Sequence, residues 1–119
     1  MSIDTVTTIQ LGVGKLVRPE WPEDTASPGW SEAEYRSFAN ASGSLFGGTW
    51  AGEPGELQLD SYPYNEICVM LQGHVALIDT QGGRKDFRAG EAFFVPKGFS
   101  GVWLTVQPSS KIFIAVEND

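Results

Sequence analysis

The segment DSYPYNEICVMLQGHV (Asp60–Val75) gathers the side chains best suited to chemistry in this sequence. Glu66 stands seven residues before a turn glycine, Gly73, inside an apolar run. A carboxylate on the inward face of a strand is costly unless it is paired, hydrogen-bonded or hydrated, so it can serve as a general acid or base or as the anchor of a polar ligand. Lys111, near the start of the last apolar run, has the strand phase to be its partner. Trp50, Tyr62, Tyr64, Phe94 and Trp103 supply the aromatic surface on which a flat ligand would stack. Cys68 shares the Glu66 face, but nothing in the sequence places an imidazole beside it to lower its pKa, so it reads as a small buried hydrophobe. His74 is the sole histidine. It follows a turn and reads as a surface or interface residue, because metal sites need clustered ligands.

The elements that must position these groups are strands. Fourteen glycines and seven prolines in 119 residues imply many turns. From Ser44 onward, SLFGGTWA, GELQLDS, EICVMLQ, HVALIDT, RKDFRA, EAFFVP, GVWLTVQ and KIFIAVE alternate with turn residues, the pattern of an all-β sandwich or barrel. In GELQLDS, Leu57 and Leu59 oppose Gln58 and Asp60, as expected of a strand with one wet face. EICVMLQ and KIFIAV are apolar on both faces, so each needs cover on both. The barrel interior is one cover; a second sheet, the N-terminal arm or another subunit is the other, which leads to a homodimer as the expected assembly. Residues 1–42 form an irregular arm packed on the barrel of residues 43–119. Within the arm, Thr7–Leu11 reads as a strand, and SPGWSEAEYRSFA as one helical turn with Ser31 as N-cap and Glu34 closing a capping box.

Composition narrows the partners. Eight Lys and Arg against fifteen Asp and Glu give a net charge of −7, and no basic run occurs, so nucleic acid is excluded as a partner. One cysteine rules out an intrachain disulfide and a multi-cysteine zinc site. The N-terminal residues lack a basic start followed by an apolar segment, and no apolar run is long enough to span a bilayer, so no membrane partner is expected and the cytoplasm is the expected compartment.

The second half resembles the cupin superfamily, whose fold is a double-stranded β-helix, or jelly-roll barrel. Gly55, Glu66 and Gly73 match its first motif, and Gly90, Pro96 and Gly98 match its second. Asn65-Glu66-Ile67-Cys68, Pro96-Lys97-Gly98 with Trp103, and Lys111 are similar to the branch holding the ureidoglycine aminohydrolase and ethanolamine-utilisation cupins. The resemblance covers Leu45 to Val116. It implies a metal held by histidines, and these are missing: the two positions fall on Ser61 and Pro63 counted from Gly55, or on Asp60 and Tyr62 counted from Glu66. Gly101 and Thr105 replace the histidine and asparagine of the second motif. A site made of Glu66, Asp60 and a phenolate would hold a hard divalent cation only weakly. The expectation is therefore a single-domain cupin with no metal cofactor, whose pocket binds a small polar or aromatic metabolite, with Glu66 as acid or base and Lys111 as its charged partner. Two rivals stand beside it: a manganese-type aminohydrolase-like enzyme, and a non-catalytic dimerisation or scaffold module.

Overall fold

The structure is a computed structural model that describes residues 1–117. A single 3-10 turn at Ile3–Thr5 is followed by ten strands: β1 (Lys15–Val17), β2 (Glu32–Ala39), β3 (Leu45–Gly52), β4 (Gly55–Leu59), β5 (Asn65–Gln72), β6 (His74–Asp79), β7 (Arg84–Arg88), β8 (Ala92–Val95), β9 (Gly101–Thr105) and β10 (Ser109–Val116). They form two antiparallel sheets, six strands in the order β1-β2-β3-β10-β5-β8 and four in the order β4-β9-β6-β7. The sheets face each other in the jelly-roll arrangement of an all-β fold. No helix of the described residues is long and apolar enough to cross a membrane.

The eight runs read from Ser44 onward correspond to β3 through β10. Alternation settles which side chains meet in the middle. Phe46, Leu57, Leu59, Cys68, Met70, Val75, Val95, Trp103, Phe113 and Ala115 are buried between the sheets. On β5 and β10 the intervening Ile67, Val69, Ile112 and Ile114 point outward and are only partly covered. On the neighbouring β3 the outer face meets the N-terminal segment, where the Gly12 N–H donates to Thr49 Oγ1 at 3.3 Å.

The arm differs from expectation. SEAEYRSFA is not a helical turn but β2, paired with β3 from Glu32↔Gly52 to Ala39↔Phe46. A Ser-x-x-Glu pattern also fits a strand whose alternate residues face one way, and the edge offered by β3 wins over a local cap. Thr7–Leu11 is not a strand; the first strand is β1, eight positions later at its start. The division expected at residue 42 falls between β2 and β3, so residues 32–39 are an integral part of the six-stranded sheet. Residues 18–31 run as a strap to the other sheet: Ser27 N–H donates to the Glu56 carbonyl, Gln58 N–H to the Thr25 carbonyl, and Ala26 bridges Leu57.

The β5–β6 turn is held at Gly73, where φ is 87°. A Cβ there would collide with Ser109 Oγ and the Pro108 carbonyl. Gly82, at φ 86°, has open space around it. Gly82→Ala therefore adds only the left-handed backbone penalty of about 1–2 kcal/mol, while Gly73→Ala adds the clash and loses about 2–4 kcal/mol. Urea unfolding of the two variants measures the difference; equal losses would mean that the Ser109 contact does not constrain the turn.

Candidate functional site

Antiparallel pairing of β5 with β10 sets Lys111 opposite Met70 and Glu66 opposite Ala115. The lysine and glutamate thus lie near opposite ends of the same inner face, and the lysine side chain is long enough to run past Cys68 to the carboxylate. Lys111 Nζ donates to Glu66 Oε2 at 2.7 Å and lies 3.3 Å from Cys68 Sγ. Tyr62 O–H donates to Glu66 Oε1 at 3.0 Å, and the Cys68 thiol to Oε2 at 2.9 Å. Both charged residues are almost fully enclosed, at 3% exposure for Glu66 and 4% for Lys111. Three donors therefore fill most of the acceptor capacity of one carboxylate in a setting where each unmet bond would be expensive.

Two indoles complete the enclosure. Lys111 Nζ sits 4.2 Å from the centre of the Trp103 ring and 5.0 Å from that of Trp50, so the ammonium faces aromatic π-systems where it does not face Glu66. Burial alone would disfavour the ammonium, but the Cys68 sulfur and the Glu66 carboxylate outweigh it and hold Lys111 above the ordinary lysine range. Burial pushes the Cys68 thiol up as well, so the cysteine is a hydrogen-bond donor here and not a thiolate nucleophile. Tyr62 is raised by burial and then by the adjacent Glu66 charge.

A second polar centre closes the recess above the first. On β2 the residues Glu32, Glu34 and Arg36 alternate with Ala33 and Tyr35 and carry charge onto the inner face. The Glu32 carboxylate accepts three indole N–H bonds, from Trp21 at 2.6 Å, Trp30 at 2.7 Å and Trp50 at 2.8 Å. Trp21 and Trp30 belong to the strap, so Glu32 latches the strap over the barrel mouth. Glu34 is buried, which raises its pKa, while Arg36 at 3.1 Å opposes that rise. The Arg36 guanidinium in turn lies 4.2 Å over the Phe46 ring. All four tryptophans of the chain line this one recess, together with Glu66, Lys111 and Tyr62. The space left inside is about 20 Å³, roughly one water molecule.

Of the residues singled out in the sequence, Glu66, Lys111, Trp50, Trp103 and Tyr62 meet here. Tyr64 stands behind them, packed edge-on against Tyr62 and Phe46 with ring centres 5.4 Å from each. Phe94 is not brought to the site: it pairs with Ile67, so its side chain shares the outer face, and it is 57% exposed. Its neighbour Phe93, opposite Cys68, takes the inward position. His74 lies on the four-stranded sheet, 2.6 Å from Asp86, far in the fold from the histidine slots of the motif. Among the described residues no group of three His, Cys, Asp or Glu side chains is arranged to hold a metal. Sequence reasoning passed over Trp21, Trp30, Glu32 and Glu34. The period-two alternation of EAEYR was a signal for the glutamates; the tryptophans sit in a proline-rich stretch with no periodicity to place them.

The buried hydroxyls, thiol and ammonium make the fold sensitive to alkali. Lys111, Cys68, Tyr62 and Tyr64 all hold their protons more tightly folded than unfolded. Their contribution to stability is complete below the unfolded pKa values and is lost as pH rises past them, first near pH 8.5 for the thiol and then near pH 10 for the phenols and the amine. Urea titrations between pH 7 and 11 will show stability declining from about pH 8.5–9, and in Cys68→Ala the decline will begin about one unit higher. An unchanged onset in that variant would place the thiol outside the network.

Among curated proteins, no sequence matches the chain. In structure it is similar to a candidate ethanolamine utilization protein Q from Salmonella typhimurium LT2, at 20% identity and a TM-score of 0.64, covering 74% of this chain and 71% of that one. The EutQ protein of Clostridium difficile gives 22% identity and a TM-score of 0.64, with 78% and 67% covered. A DUF861-family protein of unknown function from Pseudomonas syringae pv. tomato DC3000 superposes with a TM-score of 0.77 at 21% identity, over 88% of this chain but 45% of that one. At these identities the likeness is one of fold. Residues 40–113 match the EutQ-like cupin domain family, and the chain belongs to that family.

Proposed function

We propose that this chain is a cytoplasmic small-molecule-binding cupin that works without a metal, taking a small polar or aromatic metabolite at the tryptophan-lined recess over Glu66 and Lys111. The observation that carries the reading is the convergence of every tryptophan in the chain on the one recess that holds the buried Glu66–Lys111 pair. Binding sites for small organic molecules combine apolar aromatic walls with a few fixed polar groups, and this recess has both. Because only about 20 Å³ is free inside, the ligand enters by displacing the strap that Glu32 holds through Trp21 and Trp30.

The donor set argues against a divalent cation at Glu66. Its carboxylate already accepts a phenol, a thiol and an ammonium, and the ammonium supplies the positive charge that an ion would bring. The manganese-type aminohydrolase reading would need imidazoles where this chain has Asp60, Ser61, Tyr62 and Pro63. In the proposed site, Lys111 donates a hydrogen bond and Glu66 is the acid or base, so a bound carbonyl or amide can be polarised as well as held.

A panel of small polar and aromatic metabolites, screened by tryptophan fluorescence and thermal shift, will yield a ligand that perturbs the indole emission. The Glu66→Gln/Lys111→Met double variant preserves side-chain volume without leaving an unpaired buried charge. It will melt cooperatively and bind that ligand at least about tenfold more weakly, the loss of one charge-assisted hydrogen bond. Treatment with a chelator will leave wild-type binding unchanged. Equal binding by the double variant sinks the site assignment, and binding abolished by chelation replaces it with the metal-dependent reading.

We also propose a homodimer through the outer face of the six-stranded sheet, where Leu45, Ile67 and Leu71 are 36%, 46% and 38% exposed. Apolar side chains so exposed on β3 and β5, the two strands that flank β10, form a patch suited to a two-fold contact. Sedimentation velocity will find a dimer for the wild type and a monomer for Ile67→Lys/Leu71→Glu. A wild-type monomer at high micromolar concentration would refute the interface.

A further inference from the structure

A second cavity, of about 320 Å³, lies on the other side of the aromatic wall and shares no lining residue with the Glu66 recess. It opens between β7 and β8, which are terminal strands of opposite sheets and are not paired to each other. Its floor is apolar: Leu77, Phe87, Phe93, Val95 and Phe99 line it. Phe87 and Phe93 stack flat, with centres 4.1 Å apart and planes 14° from parallel, and Phe93 leans on Trp103 at 6.0 Å. Trp103 and Phe93 thus separate the two hollows.

The rim is charged. Lys85 pairs with Leu77 across β6–β7 and, by alternation, shares the inward face with Phe87, which sets its amine at the mouth of the cavity. Among the described residues no carboxylate lies within ion-pair distance of Lys85. Of the other charged groups at the rim, Arg84 is paired with Asp86 at 2.8 Å, while Asp79 remains an anion whose Oδ1 accepts from the Gln81 and Gly83 N–H groups at 2.8 Å each. A concave aromatic floor with one unpaired cation, Lys85, at its edge is complementary to a flat apolar body bearing a carboxylate.

We infer that the gap between β7 and β8 is a second ligand site, for a small aromatic or branched aliphatic carboxylate, with the apolar part against Phe87 and Phe93 and the carboxylate on Lys85. Its size falls within the range of small-molecule pockets, and its concave form distinguishes it from a flat docking face.

The test uses 3-phenylpropionate and its uncharged analogue 3-phenylpropan-1-ol, titrated into the full chain and followed by NMR. The carboxylate will bind about tenfold more tightly than the alcohol, as one charge-assisted hydrogen bond requires. Lys85→Met, an exposed substitution, will abolish that preference while leaving the alcohol's affinity unchanged. Leu77→Trp will fill the cavity and reduce binding of both probes at least tenfold, with its melting curve confirming a folded chain. Failure of either probe to bind, equal affinity of the two, or a preference that survives Lys85→Met would overturn the inference. So would a dimer dissociated by Leu77→Trp, since a second copy would then occupy the gap.

Discussion

Removing an ammonium and a carboxylate from water costs several kcal/mol for each ion, and their mutual attraction offsets that only when every remaining bonding capacity is met. The Glu66–Lys111 pair sets this condition on the structure around it. The carboxylate needs Tyr62 and Cys68 as well as the lysine, so the chain before β5 must turn back to present the phenol, and β5 must keep Cys68 on the Glu66 face. The ammonium needs electron-rich surface on its open sides, and Trp50 from β3 and Trp103 from β9 provide it from opposite sheets. A slip of one residue between β5 and β10 would turn Lys111 outward and leave Glu66 without its counter-charge, so the pair also specifies register.

Electrostatics and packing are joined at a second level. Trp50 offers a π-face to Lys111 while its N–H is bound by Glu32, so one side chain links the inner ion pair to the outer carboxylate. Through Glu32 the connection passes to Trp21 and Trp30 and so to the strap. The strap and the ion pair are therefore joined by a contiguous set of contacts.

Much of this was legible in the sequence, and the reasons differ by region. From Ser44 onward, short apolar runs separated by glycine and proline have few alternatives to strands, and period-two alternation puts Glu66, Cys68, Lys111 and Phe113 on one face without knowledge of the partner strand. The spacing of Gly55, Glu66, Gly73, Gly90, Pro96 and Gly98 reports the same fold. The arm was less readable because its structure depends on what it meets. Ser31 to Glu34 satisfies a helix-start pattern, yet the free edge of β3 recruits those residues as β2; tertiary pairing overrides a local preference worth about 1 kcal/mol. Phe94 was misplaced by one position of alternation, since Phe93 and Phe94 are chemically identical and only the pairing with Cys68 and Ile67 distinguishes them. The latch at Glu32 was legible only on its acceptor side, in the alternation of β2, because its three donors come from residues 21, 30 and 50.

The strap has a consequence for colloidal behaviour. By bonding residues 25–27 to β4, it occupies part of an open border of the four-stranded sheet, where unpaired amides and carbonyls would otherwise template growth by neighbouring chains. The opposite margin of the larger sheet ends in a strand of only three residues, too short to seed such growth effectively. Protection against fibril formation is thus partly delegated to the same loop that closes the mouth, and a chain with that loop released would trade access for self-association.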